Sequence, residues 1–392
     1  MKENVETMSS TPIGGGVQLV AGDRETVTCR AVPDSVGEVA AVEPLLHNLE
    51  NAGVGGIWRV RGSSGSAVLK IARPPAAAPD GSSSWQTSDD STHFNYWRRE
   101  ALAYETGLAA TAYADAGITA PALISADARE GGGVELWLAD VGGPAGFQWP
   151  VPRLARFAHE LGAAQARWIG RVPDTAWLSR NWLSQYLAYG PSRTVSVSAA
   201  DWDHPSVASW PAEVRYRLLR LWAEWDHALA AAQAAERTLC HLDVWPANLL
   251  DDDGRSVLLD WAFCGDGAVG EDVANLIIDS CTDGLMDAAL LPEIAESATD
   301  GYISGLRDGG WTGDEDAVRR AIAICGAAKY CWLAPAMLQR AISGRVGKSS
   351  YNQDASTADK VVRLKGLVTL IAQWAQCVPE RPSAGGSSGR RR

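Results

Sequence analysis

Apolar residues alternate with polar ones in the first third of the chain and recur at three- and four-residue spacing afterwards, which predicts a small sheet followed by a helical body. From Leu45 the pattern reads as a strand, a glycine turn at 54–56, and two further strands at 57–61 and 67–71 joined as a hairpin by residues 62–66. Residues 74–92 are rich in Pro, Ala, Ser and Asp with no apolar period, so they read as a mobile insertion. A helix is expected over 96–116. After Pro121, two strand-like runs, 122–125 and 134–138, flank a glycine turn at 131–133, and residues 140–144 read as a hinge. Amphipathic helices are expected at 155–168 and 214–236, the second long enough to form the spine of a helical domain. Helical spacing returns at 271–279, 293–306, 317–338 and 358–377, with a loop over 343–354, and no internal repeat is visible. The predicted division is an N-terminal extension at 1–44, partly flexible, a small lobe at 45–140, a larger lobe at 141–380 and a disordered tail at 381–392.

Composition narrows the class. With 392 residues, 46% of them hydrophobic and 21% charged, the chain can bury two packed lobes and is too apolar for a disordered polymer. No apolar run is read as reaching the roughly 18 to 20 residues of a membrane span. Residues 1–10 carry Lys2, Glu3 and Glu6 where a signal peptide needs an apolar stretch. A soluble, cytoplasmic protein without a membrane partner is therefore expected. The seven cysteines are scattered, with no C-x-x-C pair or zinc-ligand spacing, so reduced and mostly buried thiols are expected. A net charge of −12 argues against nucleic acid as the main partner, and Arg390, Arg391 and Arg392 read as a solvated tail.

The segment that carries chemistry is Cys240-His241-Leu242-Asp243-Val244-Trp245-Pro246-Ala247-Asn248, an H-x-D-x-x-x-x-N pattern, followed past a turn at 251–254 by an apolar strand running into Asp260. Phosphoryl transfer needs these residue types in this order: Asp243 to orient an attacking hydroxyl and accept its proton, and Asn248 and Asp260 as hard oxygen ligands to Mg²⁺ on nucleotide phosphates. His241 reads as a brace of the same catalytic loop and Asp272 as another. Trp245 reads either as a stacking surface for substrate or as core. Asp251, Asp252 and Asp253 read as turn residues rather than a metal site.

The segment resembles the catalytic core of the aminoglycoside phosphotransferase and choline kinase-like family, distant relatives of protein kinases. His241, Asp243, Pro246, Asn248 and Asp260 carry the likeness, with Gly270-Glu271-Asp272-Val273-Ala274 similar to the family's G-x-D-x-A stretch. Asp260-Trp261-Ala262 replaces the D-F-G of protein kinases, and no A-P-E follows. The resemblance implies an α+β, bilobal protein-kinase-like fold, with a nucleotide-binding N-lobe of sheet plus helix and a larger, mainly helical C-lobe. It implies ATP as co-substrate, Mg²⁺ as cofactor, and a hydroxylated small molecule as acceptor, such as an antibiotic, a sugar or an amino alcohol. A kinase-like nucleotide-binding module without chemistry is the alternative. Lys70 ends a strand similar to V-A-I-K and would hold phosphates, with Glu100 of the next helix as its partner in preference to Glu105. Gly53, Gly55 and Gly56 read either as the loop over the phosphates or as an ordinary hairpin turn. The backbone of residues 134–141 would contact the adenine. Asp279, Asp283 and Asp287, four residues apart, would form an acidic stripe favouring a cationic or polyhydroxyl acceptor, or else a solvated helix face.

Overall fold

The computed structural model describes residues 12–13, 16–20, 26–75, 85–344 and 357–381. Strands Pro12–Ile13 (β1), Gly16–Val20 (β2) and Thr26–Cys29 (β3) form one antiparallel sheet. Strands Val39–Pro44 (β4), Val54–Gly62 (β5) and Ser66–Ala72 (β6) belong to a second, five-stranded antiparallel sheet. Helix Arg99–Glu105 (α1), the turn of helix Leu108–Thr111 (α2) and the short strand Ile118–Thr119 (β7) follow. Leu123–Ala128 (β8) and Val134–Ala139 (β9) complete the sheet in the order β4-β5-β6-β9-β8.

Alternation along these strands sorts their side chains. Trp58, Val60, Leu69, Ile71 and Trp137 cover one face and bury it against Leu19, Val27, Cys29 and Val36. Leu136 and Leu138, on the opposite face, join the main core with Ala101 and Ala103 of α1. Residues 1–44 are thus more than an extension: β4 is an edge strand of the main sheet, and part of β2 and β3 closes its outer core. A bulge between Val39 and Ala41 breaks the alternation that would have revealed β4.

The larger lobe contains helices Val151–Ala166 (α3), Trp182–Tyr189 (α4), Ala212–Ala223 (α5) and Trp225–Gln233 (α6). Short strands Arg237–Cys240 (β10), Leu249–Asp252 (β11), Arg255–Leu258 (β12) and Gly265–Ala268 (β13) come next. Helices Glu271–Thr282 (α7), Leu291–Asp308 (α8), Glu315–Lys329 (α9), Leu333–Ser343 (α10), Thr357–Arg363 (α11) and Lys365–Trp374 (α12) follow them. The result is the expected α+β, bilobal protein-kinase-like arrangement, with a small sheet-bearing N-lobe and a mainly helical C-lobe.

Several expected helices are interrupted. Gly107, at φ 78°, divides the helix expected over 96–116, because only glycine enters that region at no steric cost. The predicted spine at 214–236 breaks at Glu224, and α3 against α8 takes its place. There Gly162 and Gly305 let the two backbones touch: a Cβ on either would collide with the carbonyl of Tyr302 or of His159. The stretch 315–343 also corrects the membrane-span expectation, since it contains an 18-residue window of mean hydropathy 1.5. That window is 83% buried inside the protein, as core helices do when they are apolar all round. Residues 345–356 of the expected loop, 76–84 of the expected insertion and 382–392 of the expected tail lie outside the described residues. Residues 85–92, read as mobile, carry Trp85, whose ring packs on Phe94, Tyr186 and Phe263.

Candidate active site

Asp243 and Asn248 sit on the loop between β10 and β11. That loop turns at Leu242, whose φ of 68° costs a non-glycine residue roughly 1–3 kcal/mol. The buried carboxylate of Asp272, in the first turn of α7, holds the strained conformation. It accepts from the backbone N–H of His241 at 2.8 Å and of Leu242 at 2.7 Å, and from Gln165 Nε2 at 2.7 Å. Asn275 donates to the Leu242 carbonyl at 3.3 Å. Burial pushes the Asp272 carboxyl up to about 7 against the pull of its two backbone donors.

His241 is fully buried, meets the edge of Trp261 at 5.0 Å, and accepts the Asp243 N–H on Nδ1 at 3.3 Å. Burial pulls its pKa down to about 4, so it is neutral near pH 7. It does not line the cavity described below. This is the place of a residue that braces the loop carrying Asp243, as distinct from one that faces the cavity.

Lys70 lies between two carboxylates. Its Nζ is 2.6 Å from Glu100 Oε2 and 3.0 Å from Asp260 Oδ1, and both Lys70 and Glu100 are buried. Burial disfavours the Lys70 ammonium, but Asp260 and Glu100 outweigh it and hold its pKa above the ordinary value. Burial pushes the Glu100 carboxyl up despite Lys70, and Asp260 adds to that push. For Asp260, burial is overcome by Lys70, which holds this carboxylate below its usual range. Glu105, the competing partner, turns to Arg98 at 3.9 Å. Asp260 has φ 60° and ψ 69°, a second strained residue, just ahead of the turn Trp261–Phe263.

A cavity of about 900 Å³ opens between the lobes, and Asp243, Trp245, Asn248 and Asp260 all line it. Asn248 donates from Nδ2 to both the carbonyl and Oδ2 of Asp243, each at 3.0 Å. Its amide oxygen is thereby left for another partner. Burial, followed by Asp260, pushes the Asp243 carboxyl up to about 7; Lys329 and the Asn248 hydrogen bond oppose them.

Other expected residues fall elsewhere. Residues 47–52, with Val54 and Ile57, form the N-lobe wall of the cavity; Gly53, Gly55 and Gly56 do not line it. Gly55 and Gly56 lie within β5 instead of a turn: Gly55 leaves room for Ile71 and Arg73, and Gly56 for the Trp58 ring. None of residues 134–141 lines the cavity, and Asp140 pairs with Arg59 at 2.9 Å. The turn expected over 251–254 shrinks to its last two residues, because Asp251 and Asp252 end β11; Asp251 pairs with Arg153 and accepts from Gly254 N–H, each at 2.6 Å. The acidic stripe breaks up where α7 ends. Asp279 and Asp283 line the cavity, while Asp287 is exposed and caps Ala289.

Sequence reasoning missed two cations. The fully buried Arg99 donates to the carbonyls of Phe94, Ala262, Trp177, Ser91 and His93, tying α1 to the segment after Asp260 and to the C-lobe. Burial lowers its pKa to about 10. Lys329, the last residue of α9, also lines the cavity. A single lysine directly after the apolar run Ala321-Ile322-Ala323-Ile324-Cys325-Gly326-Ala327-Ala328 was the available signal.

The chain is similar to several solved structures. One is a choline/ethanolamine kinase family protein from Mesorhizobium loti, 16% identical over 88% of this chain and 96% of that one, with a TM-score of 0.48. Another is the amicoumacin kinase hAmiN in complex with AMP-PNP, Ca²⁺ and Ami, 12% identical over 84% and 88%, TM-score 0.46. A third is the aminoglycoside phosphotransferase APH(3'')-Id from Streptomyces rimosus, 17% identical over 75% and 93%, TM-score 0.41. No curated protein matches the sequence. The model of one family, APH, described as the phosphotransferase enzyme family, matches residues 53–309, from the entry to β5 through α8, and the chain belongs to that family.

Proposed function

We propose that this phosphotransferase moves the γ-phosphoryl group of ATP to a hydroxyl of a small molecule, with Asp243 as base and Asn248 and Asp260 as ligands to Mg²⁺. The observation that carries this reading is the convergence of Asp243, Asn248 and Asp260 on one cavity, with the Lys70–Glu100 pair directly behind Asp260.

The donor set fits the metal. An amide oxygen and a carboxylate are hard ligands, and Lys70, Glu100 and Asp260 together hold one formal negative charge in excess. Among the described residues no group of three or more His, Cys, Asp or Glu could hold a metal ion by itself. That suits Mg²⁺, which uses one or two protein ligands and takes the rest from phosphates and water. When bound, it supplies charge neutralisation on the nucleotide phosphates. Asp243 orients the acceptor hydroxyl and takes its proton as the oxygen bonds to the γ-phosphorus and the bond to ADP breaks. Lys70 holds the phosphates and Glu100 holds Lys70. A cytoplasmic location would supply the ATP.

The test is Mg²⁺-dependent ADP formation measured against antibiotics, sugars and other hydroxylated metabolites. Acceptor-stimulated ADP release is expected; Mg-ATP binding without transfer to any acceptor would make the chain a silent binding module.

The pair behind Asp260 gives a second measurement. Lys70→Met and Glu100→Gln should each lower kcat/KM for ATP by more than about tenfold. Because the two act as one unit, the double variant should lose less than the product of the single losses. Strict additivity in kinetic free energy would argue against the pairing seen here.

A further inference from the structure

Lys329 sits where a ligand would. Its side chain is 4% exposed, and its ammonium stands 4.9 Å from the Trp182 ring centroid, 5.4 Å from that of Tyr330 and 5.7 Å from that of Tyr186. Trp182 and Tyr186 are themselves stacked at 4.7 Å with an interplanar angle of 10°. These three rings and Lys329 line the same cavity as Asp243. An aromatic box of this kind is a receptor for a cation, above all a quaternary ammonium.

Here the box holds the chain's own ammonium. Among the described residues none forms an ion pair or hydrogen bond with Lys329 Nζ. Asp279 and Asp243 feel its charge without pairing with it, and the two oxygens of Asp279 accept from the Tyr330 hydroxyl and from Thr282 Oγ1. A buried ammonium with three N–H donors and no protein acceptor is therefore presented to the cavity.

We infer that Lys329 determines acceptor specificity. It closes the box to a quaternary or primary ammonium headgroup and offers its donors to acceptor oxygens, those of a polyhydroxyl compound or a hydroxycarboxylate. This rests on the reading of the cavity as a kinase cleft, and it reverses the cationic preference that the acidic stripe suggested.

The experiment titrates choline, as the quaternary ammonium probe, into the full-length protein and its Lys329→Ala variant while following tryptophan fluorescence. No saturable change is expected in the wild type. In the variant the vacated box should bind choline with a Kd at least about tenfold below any wild-type value. Saturable choline binding by the wild type equal to that of the variant, or choline-stimulated ADP formation by the wild type, would overturn the inference. A folded variant that binds no choline would overturn it as well, and where Lys329→Ala fails to fold, as judged by circular dichroism, Lys329→Ser takes its place. Mg-ATP calorimetry on the same samples separates the two levels: without nucleotide binding the kinase reading falls, while a choline difference between wild type and variant still supports the filled box. For an acceptor that is turned over, a KM that rises with ionic strength identifies a carboxylate on Lys329, and a salt-independent KM identifies neutral hydroxyls.

Discussion

Asp243→Asn is expected to lower phosphoryl transfer by roughly two orders of magnitude or more while Mg-ATP binding is retained. The amide is nearly isosteric and can keep a hydrogen bond to Asn248, which now joins that side chain to Asp243 Oδ2. What it cannot do is accept the acceptor's proton. The pH profile provides an independent check. The Asp243 carboxyl is pushed up to about 7, by burial first and by Asp260 next. A base must be deprotonated to act, so wild-type kcat/KM for the acceptor should rise as pH increases through about 7 and then level off. The residual activity of Asp243→Asn should lack that limb. Turnover within tenfold of wild type in a folded variant, or the same limb in both proteins, would remove Asp243 from the role of base.

The residues that were legible in the sequence are those whose spacing is set by a local turn. Asp243 and Asn248 are five apart because one loop and one short helical turn, Pro246–Asn248, bring both to the cavity. Asp260 follows because β11 and β12 form a tight hairpin. Lys70 and Glu100 were legible only through resemblance, since thirty residues of chain separate two side chains whose charged atoms are 2.6 Å apart. Arg99 gave no pattern, and Lys329 only that of a lone charge at the end of an apolar run. Each is one polar residue in an otherwise ordinary helix, and its meaning comes from rings or carbonyls that distant segments supply. The glycine reading failed for a different reason. Glycine is needed for φ > 0 and for close packing alike, and within β5 the neighbouring Trp58 ring, rather than a phosphate, occupies the space at Gly56. The helix break at Gly107 is a backbone matter instead, a glycine at φ 78° with open space where a Cβ would be, which apolar periodicity does not register.

Asp260→Ala should remove the dependence of nucleotide binding on Mg²⁺. In the wild type, calorimetry is expected to show ATP binding strengthened by Mg²⁺, because Asp260 is the charged member of the pair proposed to hold the metal. In the variant the affinities with and without Mg²⁺ should converge. The fold should survive, because Lys70 keeps Glu100 at 2.6 Å and the site passes from one excess negative charge to neutrality, leaving no buried ammonium without a partner. The same change of charge makes the two causes of a binding loss distinguishable. A structural defect would weaken ATP binding in the absence of metal, whereas loss of a ligand would leave that value at or above the wild-type level, since one negative charge near the phosphates has gone. Asn248→Ala should weaken the Mg²⁺ effect less, as it withdraws a neutral oxygen and leaves the carboxylate in place. An undiminished Mg²⁺ effect in Asp260→Ala would mean that the metal binds away from Asp260.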